Sequence, residues 1–338
     1  MIFNKLEWSH SLTANWLYDR FLQLLIYPSI WVAAALASLG FYTQNILDLG
    51  DSWQPIALIF VTALIPYNLD RIFDSYVQKI PDNKAQLFFR QPCIWVLLLT
   101  AISLTIILLY NAPLRVRYIS IAGIIPLLYG VPLFPGKSEG LTPPRPTYAE
   151  RYPLGRASGE TPDGADSSKG GACMPRKSTI QWYRLKDIPG SKAWIVGTVL
   201  TYAVITLPIA YSDAQFNFAT GLITLFMFVF IVTNSHIFDI RDIQSDKEKG
   251  VITLPTIAGV KGTKIILSAM NLLVLLFITL AVKNQIISFY PEMILALTIN
   301  LIYIWKININ TPRWVYNILI EGFLFIPLLG HWAIKIII

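Results

Sequence analysis

The stretch FNFATGLITLFMFVFIVTNSHIFDIRDIQSD, residues 216–246, governs how the rest of the chain is read. Phe216–Phe238 contains no Asp, Glu, Lys or Arg, which is long enough for a membrane-spanning helix. It ends abruptly in three carboxylates. Asp239, Asp242 and Asp246 are spaced three and four apart, so on a helix they share a face. The chain repeats this device earlier. The apolar run Pro55–Leu69 closes on Asn68-Leu69-Asp70-Arg71-Ile72-Phe73-Asp74, with Asp70 and Asp74 one helical turn apart. Carboxylates crowded in this way repel one another and are best tolerated around divalent cations. Mg²⁺ held by carboxylates usually brings a phosphate with it. Two acidic faces at the rim of a membrane bundle point to a site that grips a diphosphate carried on an apolar chain.

Composition agrees with a membrane protein. The 338 residues have a mean hydropathy of +0.54, with 54% hydrophobic and 14% charged residues. Nine apolar spans are expected, at about 21–43, 54–73, 91–111, 116–134, 193–212, 215–238, 265–283, 285–305 and 314–336. The implied fold is an all-α polytopic bundle of nine transmembrane helices with a cytoplasmic cap of loop helices. Basic residues set its orientation. With the N-terminus inside, 23 Lys and Arg fall on the inner side and 4 (Arg115, Arg117, Lys283 and Lys335) on the outer side. The N-terminus and both acidic segments are therefore expected in the cytoplasm and the C-terminus outside. The net charge of +7 reflects these inner loops, not nucleic-acid binding.

Residues 1–20 carry Lys5, Glu7, Asp19 and Arg20 among aromatics, which suggests an interfacial segment and not a cleaved signal. Residues 21–338 read as one domain, interrupted at about 138–180. Of the 43 residues there, 21 are Gly, Pro, Ser or Thr, so the segment is expected to be disordered. Cys93 and Cys173 are too isolated for a disulfide framework or a cysteine metal site. A faint internal echo links Ile72-Phe73-Asp74 with Ile237-Phe238-Asp239.

A diphosphate site also needs cations. The inner loops offer Arg71, Lys79, Arg90, Arg184, Lys186, Lys192, Arg241, Lys247 and Lys249. Arg184 and Lys186 precede span five and are favoured, while Lys247 follows Asp246 directly. Two acids lie within spans. Glu321 sits at the depth of the acidic segments and suits an acceptor-orienting or proton-accepting group; Glu292 lies nearer the outer face and reads as structural. His236, one turn before Asp239, is a packed histidine or a partner of a carboxylate. Tyr67, Asn68, Tyr129 and Asn234 fall at the same inner level.

These motifs resemble the UbiA superfamily of intramembrane prenyltransferases. The resemblance rests on Asn-x-Asp-x-x-x-Asp after span two, Tyr-x-x-Pro at the end of span four, Arg184-Leu185-Lys186-Asp187-Ile188-Pro189-Gly190, and Asp-x-x-Asp-x-x-x-Asp-x-x-x-Gly-x-x-Thr-Leu-Pro from Asp239 to Pro255. The first motif is a shortened form of the family's Asn-Asp-x-x-Asp-x-x-x-Asp. The insertion splits the Tyr-containing and basic halves of a motif that helps the family bind diphosphate. The resemblance implies Mg²⁺-dependent transfer of a polyprenyl group from its diphosphate to a membrane-associated acceptor, most often an aromatic quinone precursor. Asp70, Asp74, Asp239, Asp242 and Asp246 would be the catalytic metal ligands. Asn68, Arg71, Tyr129, Arg184, Lys186, Asn234, Lys247 and Glu321 would contact substrate. Non-aromatic acceptors, a family member inactivated by the insertion and a cation-coupled transporter are the alternatives.

Overall fold

The computed structural model describes residues 18–77, 83–127, 134–137, 180–183, 190–249 and 251–337. Met1–Tyr129 with Lys186–Ile338 forms one compact unit, and Gly130–Leu185 forms another. The first unit is helical: α1 (Ile30–Ile46), α2 (Gln54–Val77), α3 (Asn83–Phe89), α4 (Pro92–Tyr110), α5 (Leu114–Leu127), α6 (Ser191–Ser212), α7 (Phe218–Lys249), α8 (Leu254–Lys283), α9 (Pro291–Lys306) and α10 (Ile326–Ile337), with wider and tighter turns at Val315–Ile320 and Phe323–Phe325 leading into α10. In the second unit, β1 (Phe134–Lys137) pairs antiparallel with β2 (Ile180–Tyr183), and Lys137 faces Ile180. The helices agree with the all-α class expected, to which this short hairpin is an addition. Backbone pairing brings together the two ends of the expected insertion, whose residues 138–179 lie outside the described set.

Among the described residues, six helices are long and apolar enough to cross a membrane, or seven if one bent pair counts as a span. The other two of the nine expected spans are present as helices but are short. The 14-residue α5 and 16-residue α9 reach about 21 and 24 Å at the usual helical rise, against a hydrocarbon core of roughly 30 Å. The first span is not one helix. Tyr18–Ile26 meets α1 at 61°. Pro28 disfavours helix in the residue before it, and Ser29 takes a left-handed φ of 59°. The carbonyls freed at that break are met by α2: Asn68 Nδ2 donates to Pro28 O at 2.9 Å, and Arg71 Nη1 donates to Ile26 O at 3.4 Å.

In lipid, helices gain little from burying apolar faces, so close packing and interhelical hydrogen bonds hold the bundle together. The antiparallel helices α6 and α7 come closest where Gly197 faces Val232; a Cβ on Gly197 would overlap that valine's side chain and press on its backbone. An amide network joins α7, α8 and α9: Asn271 Nδ2 donates to Thr233 Oγ1 at 2.8 Å and Asn300 Nδ2 to Asn271 Oδ1 at 3.1 Å. Lys264 on α8 caps the end of α9 by donating to the carbonyls of Trp305 and Ile307. At the far end, buried Glu292 on α9 lies 2.9 Å from His331 Nδ1 and accepts from the Tyr42 hydroxyl at 3.4 Å, tying α9 to α10 and α1. This is the structural role expected of Glu292.

Candidate functional site

Val232, Asp239 and Asp246 are seven residues apart and therefore form one stripe along α7. Because Val232 abuts Gly197, the same stripe carries both carboxylates against the first turn of α6. That turn is fixed from outside. Gly190 caps it with a φ of 77° that suits glycine, and its N–H donates to Ile252 O at 2.7 Å, just beyond the end of α7. The Thr-Leu-Pro of the second motif starts α8. The Thr253 N–H donates to Thr256 Oγ1 at 2.7 Å, and Pro255 stands in the first turn, where its missing N–H costs nothing.

Lys192 is the outcome of this geometry. Its Nζ lies 3.4 Å from Asp239 Oδ1 and 3.5 Å from Asp246 Oδ1. Both carboxylates are buried, and the Oδ2 of each has no hydrogen-bond partner. His236 is wholly buried, with its Nδ1 3.5 Å from Asp239 Oδ2 and its ring edge-on to Trp194 at 5.1 Å. Asp242 is turned about 60° from the stripe at 100° per residue and has a separate partner. Arg241 Nε and Nη2 each donate to it at 2.7 Å, in a two-pronged pair. The Arg241 guanidinium also lies over the rings of Phe238 and Tyr316, at 4.8 and 5.7 Å. The three acids thus keep to one side of α7 but differ in their partners: Asp239 and Asp246 share Lys192, which is also within electrostatic reach of Asp242, and Asp242 is held by Arg241.

The first acidic segment reaches the same end of the bundle. Exposed Asp70 borders a cavity of about 110 Å³ with Tyr67 of α2 and Ile195, Val196 and Val199 of α6, the helix that carries Lys192. Asp74 lies one turn further along α2; its side chain is outside the described set. Buried Glu321, at the turn leading to α10, is within electrostatic reach of Arg71 on α2 and Arg241 on α7.

Other sequence candidates are placed differently. Asn68 is fully buried and its amide nitrogen is committed to Pro28 O and Leu64 O. Asn234 Nδ2 donates to Ile320 O at 2.7 Å and ties α7 to the turn beside Glu321. Both amides hold the site's walls together. Arg71 spends one nitrogen on Ile26 O, and Lys247 is exposed beyond Asp246. Tyr129, Arg184 and Lys186 lie outside the described residues. The sequence ranks Lys192 no higher than the other inner-loop cations, because only the α6–α7 approach brings it to the acids. Its sequence signal is a lysine in the first turn of a helix, where the dipole disfavours a cation. A larger groove of about 730 Å³, bordered by Phe41, Trp53 and Phe60, lies at the opposite end and plays no part in this site.

Among the described residues no three acidic, histidine or cysteine side chains converge in a metal-binding arrangement. Two carboxylates with unused oxygens do converge, which fits an ion that takes one or two protein carboxylates and fills its remaining positions with phosphate and water.

Residues 179–330 match the UbiA prenyltransferase family. The matched segment, a little under half of the chain, contains Lys192, the second acidic segment and Glu321 but not Asp70 or Asp74. Solved structures share the fold. A UbiA homolog from Aeropyrum pernix K1 aligns with a TM-score of 0.56 at 12% identity, over 92% of this chain and 100% of its own. A UbiA homolog from Archaeoglobus fulgidus bound to GPP and Mg²⁺ aligns at 0.54 and 10% identity, over 93% and 98%. A digeranylgeranylglyceryl phosphate synthase aligns at 0.50 and 14% identity, over 93% and 96%. No curated protein matches the chain by sequence.

Proposed function

We propose that this chain transfers a polyprenyl group from its diphosphate to an electron-rich acceptor in the membrane, with an aromatic quinone precursor as the leading acceptor class. The observation that carries this reading is the meeting of two acidic segments, far apart in sequence, around the first turns of α6. Asp70 borders Ile195 and Val196 while Asp239 and Asp246 meet Lys192. A cation transporter would instead place its acids along a path through the membrane.

Mg²⁺ is the implied ion, and Asp239 and Asp246, with Asp70 and Asp74 on the facing helix, would hold it. When bound, it neutralises the diphosphate and makes it a leaving group. In the reaction the allylic carbon–oxygen bond breaks, a carbon–carbon bond to the acceptor forms, and diphosphate and the acceptor's proton leave. Arg71, Lys192 and Arg241 supply positive charge around the diphosphate. The packed helices exclude water from the allylic cation. Glu321 is buried beside the site and is the group we assign to orient the acceptor or take its proton.

The decisive experiment incubates membranes containing the protein with labelled polyprenyl diphosphates and a panel of aromatic and non-aromatic acceptors, with Mg²⁺ or with chelator. Chelator-sensitive label in an aromatic product supports the whole reading. Label only in a non-aromatic product removes the quinone assignment. No transfer to any acceptor supports an inactive member. The proposed orientation puts the acidic end in the cytoplasm. With Cys93 and Cys173 replaced by serine, Ser245→Cys should resist impermeant thiol reagents in intact cells and react after permeabilisation. Labelling in intact cells inverts the topology.

A further inference from the structure

We propose that Lys192 is a displaceable counter-ion: it neutralises Asp239 and Asp246 while the site is empty and moves onto the diphosphate when donor and divalent cation arrive. The inference rests on the diphosphate site proposed above and adds a residue with a defined motion to it. Four observations carry it. Lys192 sits at the positive end of the α6 dipole, where an ammonium is unfavourable, so the two carboxylates are what keep it there. Its contacts of 3.4 and 3.5 Å are long for charge-assisted hydrogen bonds. Its side chain is 34% exposed while those of Asp239 and Asp246 are 4% and 7% exposed, so the cation can swing away and the acids cannot follow. Lastly, the buried Oδ2 of each carboxylate accepts no hydrogen bond, that of Asp239 lying 3.5 Å from His236 Nδ1, so the pairing leaves acceptor capacity for an incoming ion.

Arg241 provides the internal contrast. It holds Asp242 through two contacts of 2.7 Å and is packed against two rings, which fixes it in place. Lysine is a compact charge on a flexible stem and binds phosphate as a point charge, which suits the mobile part.

A displaceable counter-ion has a signature that a scaffold lacks. While it occupies the acids, it lowers their apparent affinity for a divalent ion by the fraction of time that the pair is closed. Once phosphate is present, it adds to phosphate binding. Removing it therefore moves the two affinities in opposite directions.

The test uses the purified full-length protein in detergent, as wild type, Lys192→Met and Lys192→Arg. Mn²⁺ binding without phosphate is followed by electron paramagnetic resonance, and inorganic pyrophosphate binding at saturating Mg²⁺ by calorimetry. Lys192→Met should bind Mn²⁺ about tenfold more tightly and pyrophosphate about tenfold more weakly, whereas Lys192→Arg, which can hold carboxylates in two-pronged pairs, should bind Mn²⁺ no more tightly than wild type. Weakening of both affinities in Lys192→Met would make Lys192 a scaffold and overturn the proposal, as would unchanged Mn²⁺ binding. Thermal unfolding checks the fold, and Lys192→Gln takes the place of the methionine variant if that one does not fold. If the wild type binds neither Mn²⁺ nor pyrophosphate, the diphosphate site itself is wrong, an outcome separate from failure of the lysine's role.

Discussion

The two acidic segments follow their apolar runs with similar words, Ile72-Phe73-Asp74 and Ile237-Phe238-Asp239, each inside a helix that continues beyond it, yet the fold treats them differently. Ile72 and Ile237 are both buried, each in its own apolar cluster. Beyond them the resemblance stops. On α7, Asp239 and Asp246 are buried against α6 and share a lysine, while Asp242 is locked to an arginine. On α2, Asp70 is exposed and makes no ion pair among the described residues, while its neighbours Asn68 and Arg71 brace the broken first helix. The lesson concerns preorganisation. The second segment is held in position before any ligand arrives, at the expense of counter-charges that a ligand must displace. The first is held by its backbone bracing and leaves its acid open to solvent.

The comparison breaks most directly at the carboxylates. Asp239→Asn and Asp70→Asn should each reduce prenyl transfer by about 10²–10³-fold, the scale for losing one preorganised electrostatic contact. They should differ in stability. Asp239→Asn leaves a lysine short of one partner and costs about 1–3 kcal/mol, whereas Asp70→Asn should leave thermal unfolding unchanged. Equal melting temperatures for the two variants would erase the distinction between a paired and an open segment. Transfer near the wild-type rate at saturating Mg²⁺ in either variant would remove that segment from the site.

A smaller effect is expected at Gly197. Alanine there presses on Val232 and must move α6 away from α7, at a cost of about 1–3 kcal/mol for overpacking. Because the same contact brings Lys192 to Asp239, this variant should lose donor affinity as well as stability. A destabilised Gly197→Ala protein with normal donor affinity would uncouple the helix approach from the site. The smallest effect is expected from the insertion. Replacing residues 138–179 with Asn-Gly closes β1 and β2 through a two-residue turn and preserves the Lys137–Ile180 pairing. Stability should not fall, since shortening the connection from 42 residues to two is about four halvings, each worth ~0.6 kcal/mol in favour of the folded state. Activity should be equal or higher. Loss of transfer in a folded deletion variant would give the insertion a function.

Much of this molecule is written in local pattern. Uncharged runs predict helices in a membrane, and positions four or seven apart predict which side chains share a face, because both follow from the rise and pitch of a single helix. For this reason the long apolar helices fall within runs that hydropathy marks, and both acidic segments follow apolar stretches of their helices. The break at Pro28–Ser29 was legible in principle from the proline, but only the fold shows that Asn68 and Arg71 of α2 meet its carbonyls. The pairing of charges is another matter. Lys192 lies 47 positions before Asp239, and nothing in a one-dimensional pattern ranks it above Arg184 or Lys186. The contact of Gly197 with Val232 makes that choice, because where two helices touch depends on the small residues that let their backbones approach. Helix faces are set by the covalent chain, whereas ion pairs between helices are set by packing, so the acids could be read from the sequence and their partners could not.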